Sequence, residues 1–217
     1  MSKNTWLGWL VVPVLLIGVM GCEQPEDRPE AIRVDRPDPA EVDEEKDEPI
    51  EGEKETYILE PETELNFTGY YRGGSQHCSF LIFDGEINLV GQNPETADIY
   101  VHITMDSVMS ESERLTEVLL DKGFFATETY PEGLFEADQV VEAEGENMYT
   151  ITGDLTLRGN TVTIEFPAEI WWDDEALRIT ADFQVDRTWW EIGYDGIAGY
   201  AMRDRVDIEI DAVARTE

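Results

Sequence analysis

The sequence predicts an all-β domain over residues 56–217, an antiparallel barrel or sandwich interrupted by one short helix. Three observations carry this. Apolar and polar residues alternate with period two along most of that length, which gives each strand one apolar face. Gly, Pro and Asn break the alternating runs at short intervals. A single stretch, SESERLTEVLLDKGFF at 110–125, switches to helical spacing.

The clearest element is the hairpin YTITGDLTLRGNTVTIEFP at 149–167. Tyr149, Ile151, Leu155 and Leu157 alternate with Thr150, Thr152, Asp154 and Thr156, and Val162, Ile164 and Phe166 alternate with Thr161, Thr163 and Glu165. Gly159 and Asn160 both tolerate positive φ, so the turn is expected there. Along the chain, TYILE is a first strand ending before Pro61, and ELNFTGYYRG a second ending at Gly73 and Gly74. CSFLIFDGEINLV is read as one run, with Gly85 marking a bulge or bend. ADIYVHITM places Ile99, Val101, Ile103 and Met105 on one face. EGLFEADQVVEAEG precedes the hairpin, and LRITADFQVDR follows it with Leu177, Ile179, Ala181, Phe183 and Val185 aligned. RVDIEIDAVA closes the domain.

In the helical stretch Ser110 and Glu113 form a capping-box pattern, Leu115, Val118 and Leu119 share a face, and Gly123 is the stop, giving about three turns. Eight or more strands, apolar on one face and acidic on the other, fit a closed barrel or a sandwich. A sandwich buries its two inner faces against each other, whereas an eight-stranded barrel can enclose a small ligand. Periodicity does not choose between them.

The first residues read as an address. Residues 6–20 are almost wholly apolar, about 15 positions, short for a membrane span and suited to a signal-peptide core. They run into Val19, Met20, Gly21 and Cys22, which resembles a bacterial lipobox. Residues 1–22 are therefore expected to be a lipoprotein signal, with Cys22 acylated and holding the protein to a membrane. With Glu23 after the cysteine, the expected location is the cell envelope, lipid-anchored at the periplasmic or outer-membrane face. Residues 23–55 hold five prolines, 15 acids and 5 bases and almost no large apolar side chains. Such a segment is expected to be a disordered, self-repelling tether.

The chain carries 49 acids against 15 bases, a net charge of −34, which argues against nucleic acid as a partner. His77 and His102 lack metal-ligand spacing, and His77 and Cys78, as neighbours on a strand, point to opposite faces. No phosphate-binding Gly-rich loop or GxSxG motif is present. The residues point to no cofactor, no metal and no catalytic group.

Four stretches in order carry a family resemblance: SERLTEVLLDKGFFATETYP with Arg114, Leu115, Phe124, Phe125, Tyr130 and Pro131; LFEADQV with Phe135; the hairpin with Gly153, the run Leu155 to Gly159, and Pro167; and FQVDRTWWEI with Val185, Arg187 and Ile192. Together, over about residues 57–214, they resemble the YceI-like, polyisoprenoid-binding, lipocalin-like family. The chain departs from its pattern at Gly123 and Ala126, which flank the Phe pair, and at Glu191. The resemblance implies an eight-stranded antiparallel β-barrel with one inserted helix, secretion to the periplasm, no catalysis, and a long apolar pore around an isoprenoid chain. It also implies a homodimer.

On that reading the tunnel lining is Ile99, Val101, Ile103, Leu119, Phe124, Phe125, Tyr130, Phe135, Ile151, Leu155, Leu157, Ile164, Phe183, Val185 and Trp190. Phe124, Phe125, Tyr130 and Phe135 either plug the barrel end or line its mouth. Arg187 either neutralises a phosphate headgroup or pairs with an internal acid. Trp171 with Trp172, and Trp189 with Trp190, should each turn one ring outward. The expected function is non-catalytic sequestration or carriage of a polyprenyl or quinone-like chain. The rivals are a surface-anchored carbohydrate-binding domain and a purely structural or stress-related one.

Overall fold

The computed structural model describes residues 28–35, 52–173, 176–193 and 202–216. The signal segment and Cys22 lie outside the described residues. The elements in order are β1 (Ile32–Arg33), β2 (Lys54–Leu59), β3 (Glu64–Tyr71), β4 (Gly74–Phe80), β5 (Phe83–Val90), β6 (Asn93–Thr104), β7 (Val108–Ser110), α1 (Glu113–Leu120), β8 (Glu132–Glu142), β9 (Met148–Leu157), β10 (Asn160–Asp173), β11 (Ala176–Asp186) and β12 (Met202–Thr216). Short 3-10 turns occupy Met105–Ser107 and Arg187–Trp190.

The strands β2, β5, β6, β8, β9, β10, β11 and β12 pair in a closed antiparallel ring of eight. The barrel, not the sandwich, is the architecture. Closure joins the two ends of the domain, since Tyr57 to Leu59 of β2 pair with Thr216 to Ala214 of β12. Further along the same edge β12 pairs with β3, β3 with β4, and β4 with β7. Thus β2 and β3, β4 and β5, and β6 and β7 behave as three long strands bent side by side.

The bends have local causes. Pro61 lacks the N–H that a ladder needs. The run expected as one strand from Cys78 to Val90 breaks at Leu81 and Ile82, because the Ser107 hydroxyl accepts from both of their amides, at 3.2 and 3.0 Å. Gly85 is not a bulge. It is where β5 comes close to its neighbours: a Cβ there would lie 2.6 Å from the Tyr100 carbonyl oxygen and 2.8 Å from Leu59. The register shift falls instead between Asn88 and Val90.

Two further expectations move by a residue or two. The hairpin turn is Arg158 and Gly159, both at positive φ, and Asn160 pairs with Leu157. The helix spans Glu113–Leu120 and is capped by Ser112, whose hydroxyl accepts from the Leu115 amide at 3.4 Å. Ser110 ends β7 and bonds to Thr116 instead.

The segment expected to be a disordered tether departs from that reading at residues 28–35. There the chain lies in the barrel wall. Ile32 and Arg33 pair with Glu165 and Ile164 of β10, and Glu30 bridges Gln184 of β11 in parallel. Backbone bonds and the ion pairs of Arg28 offset the chain entropy that low hydrophobicity left uncovered.

Candidate ligand-binding interior

The pairing registers define which side chains face inward. Ile87, Ile99 and Ala137 stand side by side on β5, β6 and β8; Gly153 and Ile164 continue on β9 and β10; Phe183 and Ile208 close the ring on β11 and β12. Ile99, Ile103, Ile151, Ile164, Phe183 and Val185 are buried in one apolar cluster, with Leu119, Phe124, Phe125 and Trp190. Val101, Phe135, Leu155 and Leu157 are half-buried and packed against it. Among the described residues the buried polar side chains are Thr127, Thr152, Gln184 and Asp207. None belongs to an inward row: Thr152, Gln184 and Asp207 have the opposite strand parity, and Thr127 lies after α1.

Rings fill much of this space. Phe166 stacks on Phe183 with centroids 4.3 Å apart, and Phe135 lies 5.8 Å from Phe166. At the end of the barrel near α1, Phe125 meets Phe67 and Phe80 at 5.8 and 5.5 Å. Phe125 is a plug there. Phe67, Phe80 and Phe166 were absent from the expected lining. Alternation of Leu65 with Phe67 in ELNF, and of Cys78 with Phe80 in CSF, was the available signal.

Tyr130 does not line the interior. It is exposed and covers the hairpin turn, its ring about 3.0 Å from where a Cβ on Gly159 would sit. Trp190 does point inward, from a 3-10 turn and not from a strand, and its indole N–H donates to the Leu155 carbonyl at 2.8 Å. Trp189 and Trp172 are half-buried against the core, and Trp172 donates to the Tyr57 hydroxyl at 3.2 Å.

Arg187 is also not free to meet a headgroup. Its Nε donates to the Arg203 carbonyl at 3.0 Å, Nη1 donates to the Ile192 carbonyl, and Nη2 pairs with Asp204 at 3.0 Å. The guanidinium ties the 3-10 turn to the start of β12. His102 sits on the outer face between Asp84 and Glu132, at 3.2 and 3.4 Å.

The wall is interrupted at the shared bend. A cleft of about 640 Å³ opens between residues 60–63 and 81–82. Leu59, Leu65, Phe80 and Phe83 of the inward rows form its floor, and Glu60, Glu64, Leu81 and Ile82 its rim. An apolar floor beneath an acidic rim suits an apolar chain with an uncharged or positive end.

A family model described as the YceI-like domain matches residues 57–214, the whole barrel. The chain belongs to the YceI-like family. Curated relatives include UPF0312 proteins of Photorhabdus laumondii, 37% identical over 92 residues, and of Pseudomonas putida strain W619, 32% identical over 92 residues. Each match covers 42% of this chain and 47% of the relative, so the chain spans about half the length of the curated relatives it matches. Among solved structures, BcnA of Burkholderia cenocepacia aligns with a TM-score of 0.65 at 18% identity, covering 70% of this chain and 95% of that one. A polyisoprenoid binding domain from Saccharophagus degradans aligns with a TM-score of 0.61 at 12% identity, covering 74% and 98%. The Campylobacter jejuni YceI protein aligns at 0.56 with 20% identity, covering 64% and 84%. At these identities the likeness establishes the YceI-like fold.

Proposed function

We propose that this YceI-like barrel is a non-catalytic carrier or reservoir for an isoprenoid chain, held through Cys22 at the periplasmic or outer-membrane face of the envelope. The observation that carries the reading is the inward surface: apolar side chains of all eight ring strands form one buried cluster, and among the described residues the one fully buried carboxylate, Asp207, lies at the opposite strand parity. Binding there removes a chain from water at about 0.8 kcal/mol per CH₂. The neighbour from Saccharophagus degradans described as a polyisoprenoid binding domain supports the ligand class. The commitment of Arg187 to backbone carbonyls and the acidic cleft rim favour a neutral, quinone-like end over a phosphate.

The chain is expressed in a bacterial host, purified gently and extracted for lipid mass spectrometry. A stoichiometric neutral isoprenoid is the expected result. The ring stacking of Phe166 on Phe183 favours a second reading, a filled barrel with a structural role. Protein that carries no lipid, and refuses added quinones and polyprenols, would leave that second reading standing and remove the first.

A further inference from the structure

We propose that the seam between β10 and β11 is a lateral entrance to the barrel for an apolar chain, and that residues 29–34 are its movable wall strand, latched by Arg28. This rests on the interior being a chain-binding space. β10 and β11 pair only between Glu169 with Thr180 and Asp173 with Ala176. Beyond that point β10 runs on to Asn160 and β11 to Asp186 without pairing to each other.

The N-terminal segment fills the gap. Ala31 N donates to the Gln184 carbonyl at 2.8 Å, Gln184 N to the Pro29 carbonyl at 2.9 Å, and Val34 N to the Thr163 carbonyl at 3.0 Å. Only Ala31 joins the apolar core, and Ile32 beside it is 59% exposed. The rest of the hold is ionic. Arg28 reaches Asp182, Glu209 and Asp207 at 2.6, 2.8 and 3.4 Å, and Glu30 pairs with Arg205 at 2.7 Å. A strand with one small buried apolar side chain opens far more readily than a ladder backed by core residues.

What lies behind it makes the gap an entrance. The strap's partners Glu165 and Gln184 are chain neighbours of Phe166 and Phe183, whose stacked rings face inward. When the strap leaves, the stacked rings of Phe166 and Phe183 are what remains across the seam, and their parting opens the centre of the interior through the side wall without unplugging Phe125 from the end. The strap also precedes residue 57, where the family match begins, so it lies outside the matched domain.

The test uses the full chain and all-trans-retinol, a neutral-ended isoprenoid whose fluorescence rises in apolar surroundings. Ile32→Cys with Glu165→Cys places thiols on paired, outward positions of adjacent strands. The oxidised lock should slow retinol uptake by about tenfold or more, and reduction should restore the wild-type rate. Arg28→Ala should speed uptake and raise amide hydrogen exchange at Ala31, Val34 and Gln184 above that of the β8–β9 ladder. Equal uptake by the locked and reduced forms of a protein that does bind retinol overturns the entrance alone. Wild-type protein that takes up no retinol overturns the chain-binding reading, and the entrance with it.

Discussion

The ring of Phe166 lies on the ring of Phe183 with planes 11° apart, bridging strands that do not hydrogen-bond to each other at that level. The stack does the work of a ladder in holding the two sides of the seam together. Phe183→Ala should therefore cost about 3–5 kcal/mol in urea or thermal unfolding. Phe183→Leu should recover most of that loss. A loss below about 1 kcal/mol for the alanine variant would mean that the space collapses and the stack contributes little.

Gly153 sits where β9 passes under Phe135. A Cβ there would lie 2.7 Å from the Ala137 Cβ, and 2.8 Å from both the Glu136 carbonyl and the Phe135 ring. Backbone on one side and a packed ring on another leave no room to yield. Gly153→Ala is expected to destabilise the barrel by about 1–3 kcal/mol, read as a fall in the urea midpoint with an unchanged slope.

Cys78 is buried on β4, and burial pushes its thiol up to about 11, with the charge of Glu111 adding to the shift. The thiolate is the nucleophile, so the folded protein should react very slowly with a disulfide reagent at pH 8, and at once when denatured. Rapid labelling of the native protein would show that the β3–β4 arm opens at low cost.

Tyr70 donates to the buried carboxylate of Asp207 at 2.5 Å. Its phenol is pushed up to about 12, by desolvation first, then by that hydrogen bond and the carboxylate's charge. A value raised in the folded state stabilises fully below the ordinary value of 10 and is lost as pH climbs from 10 through about 12. Tyr70→Phe should be less stable than wild type at pH 8, because Asp207 loses a donor. The difference should shrink steadily in urea titrations between pH 10 and 11.5. A constant gap across that range would contradict the assignment.

Arg187 holds a turn, through two backbone carbonyls and Asp204. Arg187→Ala should lower stability by removing two bonds to backbone carbonyls and the pair with Asp204. Lipid retained per folded molecule should stay the same. A selective loss of lipid, with stability intact, would restore the headgroup role. Gly193→Ala should mimic the stability loss, since its φ is 125° and an added Cβ would collide with the Arg187 guanidinium.

How much of this was legible in the sequence depends on how local the cause was. Alternation in the 149–167 hairpin read correctly, because Ile151 and Phe166, and Gly153 and Ile164, do share the inward face. The turn moved by one residue because Arg158, an unremarkable turn former, takes the left-handed conformation beside Gly159. Distant causes were invisible. The break at Leu81 and Ile82 is made by Ser107, some 25 positions on. The ordering of residues 28–35 comes from Arg28 reaching acids near positions 182 and 209, which no reading of local hydrophobicity could reveal. Trp190 faces inward as expected and Arg187 takes the ion-pair alternative with Asp204, but both do so from a 3-10 turn capped by Asp186 where a strand was assumed.

Closure of the ring through β2 and β12 has a consequence for how the protein is made. Tyr57, buried on the first barrel strand, waits for Trp172 to donate to its hydroxyl and for Thr216 to lie beside it. A growing chain on the ribosome can form the β5–β6 and β9–β10 hairpins early, yet its opening strand has an unpaired edge until residues 214–216 have been added. Contacts between positions so far apart in sequence are slow to form. Until those residues are added the nascent barrel is an unclosed sheet with an apolar face in water, the state in which chaperones handle a client.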